Sequence, residues 1–245
     1  MHDETQAMEW TPERVRRFWD YESTHPERYF TYKYAGSLVA TVKKHLAGAD
    51  RVLDYGCGRG FLVEKLLDLG ARVAAADDSP RSVAFVQERF QDHDRFLGAR
   101  TVDQLHESGE RYDAIFVIEV VEHLDDASLK ELFERVLSAA RPDALLIVTT
   151  PNAEKLQKSE VYCPACDHRF HRWGHVRSWT AETLSDHLES IGLRIVETIE
   201  CRFAKTFPGR PWKSRWEWIA KQIQGGAKPH LVAICRVPEK SRGTA

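Results

Sequence analysis

Hydrophobic and polar positions divide this chain into a helical N-terminal part and a longer part in which strands and helices alternate. The helical pattern runs from about residue 11 to residue 47 and opens with Thr11 and Pro12, a capping residue followed by a first-turn proline. Beyond it, short apolar runs alternate with amphipathic segments. The runs that predict strands are RVLDY, ARVAAAD, RYDAIFVIEV, ALLIVTTP, residues 194–200 and HLVAICRV.

One amphipathic segment shows the helical period clearly. Apolar side chains recur at i, i+3, i+4, i+7, i+8 and i+11 at the following positions: Leu129, Leu132, Phe133, Val136, Leu137 and Ala140. The strand before it, RYDAIFVIEV, contains an unbroken apolar run, which is typical of a parallel strand buried on both faces. A further helix is expected at about 180–191. This alternation predicts a doubly wound α/β sheet.

The pattern predicts one α/β domain with appendages. We assign residues 1–47 to a helical N-terminal preface or lid, residues 48–238 to the main domain and residues 239–245 to a disordered tail. Residues 152–178, rich in cysteine, histidine and tryptophan, are an insertion too long for an ordinary loop. Residues 202–228 form a segment of basic and aromatic side chains.

Composition narrows the class of protein. The chain has 245 residues, of which 42% are hydrophobic and 29% charged, so it belongs to the ordinary globular class. Its formal net charge of −2 argues against a general nucleic-acid binder, which would be basic throughout. No apolar run approaches the ~18 to 20 residues of a membrane span, and the N-terminus is acidic and polar. The five cysteines are odd in number and irregularly spaced, so we expect a cytoplasmic protein with reduced thiols.

A glycine-rich turn stands where the first strand of the alternation meets its helix. The turn, DYGCGRG, contains Asp54, Gly56, Gly58 and Gly60, and only glycine lets a backbone approach a ligand without a clash at Cβ. Asp77 ends the next strand, where a carboxylate can accept both hydroxyls of a ribose. A turn without function is one alternative, and an NAD-linked dehydrogenase is another. An aspartate before the first glycine favours a cationic ligand over a phosphate.

Four segments resemble the motifs of class I S-adenosylmethionine-dependent methyltransferases: VLDYGCGRG, AAADDS, YDAIFVIEVVEHL and LLIVTTPN. The resemblance covers roughly residues 50–200. It implies a Rossmann-like, mostly parallel seven-stranded sheet and S-adenosylmethionine as cofactor. The residues that it places around the cofactor are Asp54, Gly56, Cys57, Gly58, Gly60, Asp77, Asp78, Val102 and Glu119. The stretch GARTVDQL departs from the family pattern, because the usual acidic residue after the third strand has no clear counterpart there.

Three side chains that can bind a metal follow the fourth strand within five residues. These are Glu119, Glu122 and His123, at the sheet edge where ligands bind in this architecture. The run resembles those of ubiquinone-biosynthesis O-methyltransferases and of small-RNA 3′-end 2′-O-methyltransferases, and the second likeness implies a further ligand, His175. We predict a divalent-metal site of these four residues, with Mg²⁺ or Mn²⁺ favoured by the carboxylates and Zn²⁺ or Fe²⁺ left open by the imidazoles. The alternative is that Glu119 caps the cofactor pocket while its neighbours start a helix.

The predicted chemistry follows from that site. A bound divalent ion could lower the pKa of a substrate hydroxyl, and His123 or His171 could then take its proton. We therefore expect Glu119, His123 and His171 to be the catalytic residues. Methyl transfer itself depends on in-line positioning more than on acid and base strength.

A second candidate metal site lies in CPACDHRFH, because CPxC is the usual turn of a zinc knuckle. The chain has no second CxxC, so His168, His171 or His175 would have to complete a structural zinc site. Because His175 cannot easily serve both sites, the predicted ligands are Cys163, Cys166, His168 and His171. An exposed turn without metal is the alternative.

The segment at residues 202–228 suits an anionic, partly apolar partner. Its only carboxylate is Glu217, and it interleaves aromatic rings with basic side chains, among them Arg202, Lys205, Arg210, Lys213, Arg215 and Lys221. Candidate partners are a nucleotide sugar, a phosphorylated lipid, a peripheral membrane surface or an RNA end; an amphipathic helix over the sheet edge is the alternative.

Together these features predict an O-methyltransferase of a small or carrier-linked hydroxyl substrate. An RNA 3′-terminal 2′-O-methyltransferase, which the mild acidity disfavours, and a non-catalytic binding module of the same fold are the alternatives.

Overall fold

The computed structural model describes residues 6–205 and 227–238. The ten strands in this part of the chain are β1 (Gln6–Ala7), β2 (Arg51–Tyr55), β3 (Arg72–Asp77), β4 (Phe96–Thr101), β5 (Tyr112–Ile118), β6 (Ala140–Pro151), β7 (Glu160–Cys163), β8 (His168–His171), β9 (Arg194–Cys201) and β10 (His230–Arg236). The seven α-helices described are α1 (Pro12–Glu22), α2 (Phe30–Val42), α3 (Phe61–Asp68), α4 (Pro80–Phe90), α5 (Val102–Ser108), α6 (Asp126–Ala139) and α7 (Ala181–Ser190). Most of the basic segment and the predicted tail lie outside the described residues.

Seven strands form the main sheet, in the order β4-β3-β2-β5-β6-β10-β9. The first five of these strands are parallel, and β10 runs antiparallel to both of its neighbours, β6 and β9. The predicted doubly wound, mostly parallel seven-stranded sheet is therefore confirmed. The strand order reverses between β2 and β5, and ligands of such sheets bind outside the carboxyl ends of the strands at that point.

The main sheet is covered by helices on both faces. Alternate residues of a strand point to opposite faces, so Ile115 and Val117 of β5 pack in one apolar cluster with α5, α6 and α7. Ala114 and Phe116, which alternate with them, pack in a second cluster with α2, α3 and α4. This explains why the sequence of β5 is apolar without interruption.

The helical preface consists of two helices rather than one continuous run. The Thr11 hydroxyl accepts a hydrogen bond from the amide of Arg14 (3.3 Å) and starts α1, as the cap and proline pattern predicts. His25 has φ −123° and ψ 67°, outside the helical region, because the residue before a proline is pushed away from helical geometry. Pro26 then opens a short 3₁₀ turn, and α2 follows four residues later.

The insertion contains a second, small sheet that the sequence pattern did not predict. Strands β7 and β8 form an antiparallel hairpin in which Glu160 pairs with His171 and Cys163 pairs with His168. Strand β1 adds to β8 in parallel, so the beginning of the preface is joined to the insertion by strand pairing.

Candidate active site

The glycine-rich turn follows β2 and leads into α3. Gly56, Gly58 and Gly60 have φ angles of 83°, 50° and 71°, a left-handed region that other residues adopt at a cost. A Cβ atom on Gly56 would lie 2.9 Å from a methyl group of Val120, so the backbone here also passes too close to its neighbour for a side chain. The amides of Gly56 and Cys57 donate to a single carbonyl of β3 (2.8 and 3.0 Å), which turns the chain over the end of that strand.

Asp77 lies beside this turn at the end of β3. One carboxylate oxygen accepts the amide of Gly58 (2.8 Å) and the other accepts the amide of Ser79 (2.9 Å). Burial raises the pKa of Asp77 to about 6, and the two backbone hydrogen bonds oppose that rise. A carboxylate oxygen can accept more than one hydrogen bond, so both oxygens keep capacity for ligand hydroxyls.

Asp54 is buried under the turn, with 2% of its surface exposed. One of its carboxylate oxygens has no hydrogen-bond partner among the described residues. Burial, reinforced by the charge of Asp77, raises the pKa of Asp54 to about 8. A buried polar atom without a partner calls for an explanation, and a cationic group bound in the turn would provide one.

The preface covers the glycine-rich turn. The ring of Tyr29 lies so close that a Cβ on Gly58 would be 2.8 Å from one of its carbons. Tyr29 also packs against Trp19 of α1 and Phe61 of α3, with ring centroids 6.1 and 6.5 Å apart. One layer of side chains from the preface therefore stands over the predicted cofactor site.

The remaining predicted cofactor residues differ in exposure. Cys57 is buried in the turn, and burial raises the pKa of its thiol well above the usual value. Asp78 is exposed just after β3, whereas Val102, the first residue of α5, packs into the apolar core. The carboxylate of Asp103, next along α5, is paired with Arg135 (2.7 Å).

Glu119 follows β5 directly and has an unusual backbone. Its φ of 54° lies in the left-handed region, which is rare for a residue with a side chain and is concentrated at functional sites. Its amide donates to the carbonyl of Thr149 (3.1 Å), and its Oε1 accepts the hydroxyl of the same threonine (2.9 Å). Burial raises the pKa of Glu119, and the nearby charge of Glu154 adds to the rise.

Three side chains that can bind a metal meet next to Glu119. The ligand atoms of Glu122, His123 and His175 all lie within 4.8 Å of one another. Glu122 is 1% exposed, and its Oε2 accepts the hydroxyl of Thr150 (3.0 Å), while its Oε1 has no partner among the described residues. Burial and the charge of Glu119 raise the pKa of Glu122 well above its usual value.

A second group, which shares His175, consists of Glu154, His171 and His175. One oxygen of Glu154 lies 2.5 Å from Nδ1 of His175, and the other lies 3.3 Å from Nε2 of His171. The two imidazole rings are stacked with centroids 4.3 Å apart. The sequence analysis missed Glu154, although its position two residues after the TPN end of β6 was a signal that could have found it.

Backbone hydrogen bonds hold the insertion against the loop after β5. The amide of Val176 donates to the carbonyl of Glu122 (2.9 Å), and the guanidinium of Arg177 donates to the carbonyl of Leu124 (2.7 Å). On the other side, the indole of Trp19 packs edge-on against His123, with centroids 4.9 Å apart. The preface and the insertion thus enclose the cluster at the carboxyl edge of the sheet.

The cysteine turn lies away from this cluster. Backbone amides of Ala165 and Cys166, together with the Cys166 thiol, donate to Cys163 and lower the pKa of its thiol. His171 is three residue pairs along the hairpin from the pair of Cys163 and His168, a distance of about 10 Å at the usual strand rise. Within the described ranges, no third ligand joins the two cysteines in a metal-binding group. The structure thus places His171 with His175 rather than with the cysteines.

Comparisons with known proteins agree with this geometry. A family model described as "Methyltransferase domain" matches residues 15–198, about three quarters of the chain. The ubiquinone biosynthesis O-methyltransferase of Azorhizobium caulinodans is 34% identical over 104 residues, which cover 42% of this chain and 40% of that relative. The match thus spans about two fifths of the relative's length.

Solved structures share the fold over most of the chain. The 1,6-didemethyltoxoflavin-N1-methyltransferase of Burkholderia thailandensis superposes with a TM-score of 0.65 at 18% identity, covering 96% of this chain and 93% of that one. The glycopeptide N-methyltransferase MtfA superposes with a TM-score of 0.61 at 16% identity, covering 93% and 98%. At these identities the likeness is one of fold.

The chain belongs to the methyltransferase domain family and is a class I S-adenosylmethionine-dependent enzyme. This excludes the nicotinamide-dependent dehydrogenase that the glycine-rich turn left open, and it argues against the non-catalytic module. None of the helices in residues 6–205 and 227–238 is long and apolar enough to cross a membrane.

Proposed function

We propose that this enzyme transfers a methyl group to a hydroxyl of a small or carrier-linked, anionic substrate, with a divalent cation held by Glu122, His123 and His175 beside Glu119. The observation that carries the proposal is the buried Oε1 of Glu122. It lacks a partner within the described residues and lies with two imidazole nitrogens inside one 4.8 Å group. Two imidazoles and a carboxylate are a donor set that divalent cations favour.

The cofactor fits the glycine-rich turn. S-adenosylmethionine, when bound, supplies a methyl group activated by a positively charged sulfur. Gly56, Gly58 and Gly60 give its methionine part close access to the backbone, and the unpartnered oxygen of Asp54 would accept its ammonium group. Asp77 would accept the ribose hydroxyls. Asp78 and Val102 would border the adenine at the neighbouring strand ends.

The acceptor would lie between this turn and the cluster of glutamates and histidines. A divalent cation, when bound there, would supply the Lewis acidity that lowers the pKa of an acceptor hydroxyl. Glu119 would hold the released proton. Its Oε1 accepts the hydroxyl of Thr149, while its Oε2 accepts no hydrogen bond from the described residues, and burial raises its pKa. As the hydroxyl oxygen bonds to the methyl carbon, the sulfur–carbon bond breaks.

The roles of the two histidines predicted as bases are different in this arrangement. Burial lowers the pKa of His123 to about 3, so its ring is neutral and suited to be a ligand. Nδ1 of His171 already accepts backbone amides of Trp173 and His175 (3.3 and 3.2 Å). Once a cation is bound, His123 has no lone pair left for a proton. The Nε2 of His171 has no hydrogen-bond partner among the described residues, but it carries the hydrogen of the ring and cannot accept another proton while the ring stays neutral, which favours Glu119 as the proton acceptor.

O-methylation is supported by the similarity to the ubiquinone biosynthesis O-methyltransferase, which by its name methylates oxygen. A second candidate is an RNA 3′-terminal 2′-O-methyltransferase. It is favoured by the group of Glu122, His123 and His175, which are three of the four ligands that the likeness to the small-RNA enzymes implies; Glu119 is not in this group. A ribose end presents two neighbouring hydroxyls, as a catechol does, so both acceptors suit a cation site.

The test combines binding and activity measurements on the full chain. Calorimetric titration with S-adenosylhomocysteine should give saturable binding, and Mn²⁺ should bind one per chain. Glu122→Gln should weaken Mn²⁺ binding by at least about 10-fold and leave S-adenosylhomocysteine binding within about twofold of wild type. Glu134→Gln, an exposed glutamate of α6, is the matched control and should change neither.

Acceptor screening separates the two candidates. Methyl transfer from labelled S-adenosylmethionine to a catechol, in the presence of Mn²⁺, supports the small hydroxyl substrate. Methyl transfer to an RNA oligonucleotide supports the RNA enzyme if prior periodate oxidation of the 3′ end of that oligonucleotide abolishes the transfer. Absence of S-adenosylhomocysteine binding would contradict the cofactor site, and cofactor binding without Mn²⁺ binding would contradict the cation site alone.

A further inference from the structure

The two carboxylate oxygens of Glu154 each lie near a nitrogen of a different imidazole ring, and the two rings are stacked on each other. Its Oε2 is 2.5 Å from Nδ1 of His175, and its Oε1 is 3.3 Å from Nε2 of His171. Its side chain is 20% exposed, so the carboxylate is largely withdrawn from water.

The hydrogen position on His171 follows from its backbone contacts. Its Nδ1 lies 3.3 Å from the amide nitrogen of Trp173 and 3.2 Å from that of His175, and both amides are donors. Nδ1 must therefore be the unprotonated nitrogen of the neutral ring, and the hydrogen is on Nε2. Nε2 lies 3.3 Å from Oε1 of Glu154 but forms no hydrogen bond with the described residues.

The hydrogen position on His175 follows from Glu154. Its Oε2 lies 2.5 Å from Nδ1 of His175, within hydrogen-bond distance. A glutamate side chain is ordinarily a carboxylate, which only accepts, so Nδ1 of His175 donates. In the neutral ring the lone pair is then on Nε2.

His123 has the same arrangement. Its Nδ1 is 3.4 Å from the carbonyl of Gly174, which can only accept, so Nε2 carries the lone pair and lies 3.9 Å from Oε1 of Glu122. These two histidines and Glu122, whose Oε1 has no partner among the described residues, form one group with ligand atoms within 4.8 Å of one another. A histidine that binds a metal through one nitrogen usually donates its other N–H to a carboxylate or a carbonyl, and both kinds of acceptor are present here.

The backbone that carries Glu154 is held in an unfavourable conformation. Ala153 has φ 48°, in the left-handed region, and its amide donates to the carbonyl of Trp179 (2.7 Å). Asn152 forms a parallel bridge to the same tryptophan. A strained residue persists only where its surroundings fix it, so the loop after β6 has one arrangement that directs Glu154 at the two rings.

We propose that Glu154 is a positioning residue that fixes His175 with its hydrogen on Nδ1 and its lone pair on Nε2, so that this lone pair is available within the group of Glu122, His123 and His175. The cation that this lone pair would bind rests on the proposed function. The hydrogen position on His175 does not, because it follows from a contact within the protein.

The test compares Glu154→Gln and Glu154→Ala with the control Glu160→Gln, a glutamate of the same insertion whose side chain pairs with Arg169 at 3.3 Å. Long-range proton–nitrogen correlation spectra of the protein without added metal should show His175 as the Nδ1–H tautomer in wild type and control. The His175 signals are assigned by their loss in His175→Gln. Glu154→Ala should shift His175 toward the Nε2–H tautomer, with Glu154→Gln between.

Titration with Co²⁺ gives the second readout. The dissociation constant should rise about 10- to 100-fold in Glu154→Ala and less in Glu154→Gln, while S-adenosylhomocysteine affinity stays within about twofold. Unchanged tautomers and Co²⁺ affinity in Glu154→Ala would overturn the proposal. Two Co²⁺ per chain, one of them lost in Glu154→Ala, would also overturn it, because Glu154 would then be a ligand. If wild type binds no Co²⁺ but its His175 tautomer still differs from that of Glu154→Ala, the cation site is refuted and the role of Glu154 is supported.

Discussion

The buried carboxyl group of Asp54 should make the stability of the ligand-free protein depend on pH. Its pKa in the folded protein is about 8, against 3.8 for a free aspartate. Between these two values the folded protein holds a proton that the unfolded chain has released. The stabilisation from that proton is fully present below pH 3.8 and is lost as the pH rises through about 8.

The size of this loss of stability follows from the one proton by which the folded and unfolded states differ. Each pH unit between the two pKa values lowers the free energy of unfolding by about 1.4 kcal/mol for one proton, so the loss from pH 5 to pH 7 is on the order of 3 kcal/mol. Asp54→Asn replaces the carboxyl by a neutral amide of the same shape and should remove this part of the pH dependence. Contributions from other buried carboxyl groups, including Asp77, are present in both proteins and cancel in the comparison.

Urea unfolding at pH 5, 6 and 7 without ligand measures the effect. The free energy of unfolding of wild type should fall on the order of 3 kcal/mol more than that of Asp54→Asn over this range. Asp50→Asn, at an exposed aspartate just before β2, is the control and should keep the wild-type dependence. Equal pH dependence in wild type and Asp54→Asn would refute the reasoning, because Asp54 would then be ionised in the fold. Saturating S-adenosylhomocysteine should reduce the difference, since its ammonium group favours the ionised carboxylate.

Three further predictions concern the turn and the two metal-binding groups. Gly56→Ala should lower the free energy of unfolding by at least about 1 kcal/mol more than Gly48→Ala does. Both residues have positive φ, but only Gly56 has a neighbour 2.9 Å from the added Cβ. Equal losses of stability in thermal unfolding would contradict this. Cys163→Ser and Cys166→Ser should leave Mn²⁺ binding unchanged in calorimetry, and any zinc found by elemental analysis should be lost only in these two variants. Loss of Mn²⁺ binding in either variant would show that the cysteine turn and the proposed cation site are not separate. His175→Gln should abolish Mn²⁺ binding but keep S-adenosylhomocysteine affinity within about twofold, and a parallel loss of cofactor affinity would contradict separate sites.

The sequence predicted those parts of the fold that local patterns specify. The apolar run of β5 and the glycine turn after β2 are short segments whose hydrophobicity and residue types determine their structure, and the sheet built from them is the expected one. The division of the preface into two helices depends on Pro26, which pushes the residue before it out of helical geometry. This effect is also local, and the hydrophobic pattern alone did not predict it.

The rest depended on contacts between distant segments. Strand β1 has only two residues and is defined by its pairing with β8, more than 160 positions away, so it leaves no periodic signal. The CPxC spacing suggested that His171 belongs with the cysteines, but the hairpin register places it with Glu154 and His175. Glu154 reaches these rings because of the left-handed backbone at Ala153, and nothing in the residue type of an alanine predicts that conformation.

The position of β10 in the sheet has a consequence for synthesis on the ribosome. This strand is the last described element of the chain, yet it lies between β6 and β9 and supplies all the strand pairing of β9. While the chain emerges from its N-terminus, the five parallel strands can assemble, but β6 presents an open edge and β9 has no partner until residues 230–236 have been made. Nascent chains stalled before this point should therefore be more prone to edge-to-edge association and proteolysis than chains released after it.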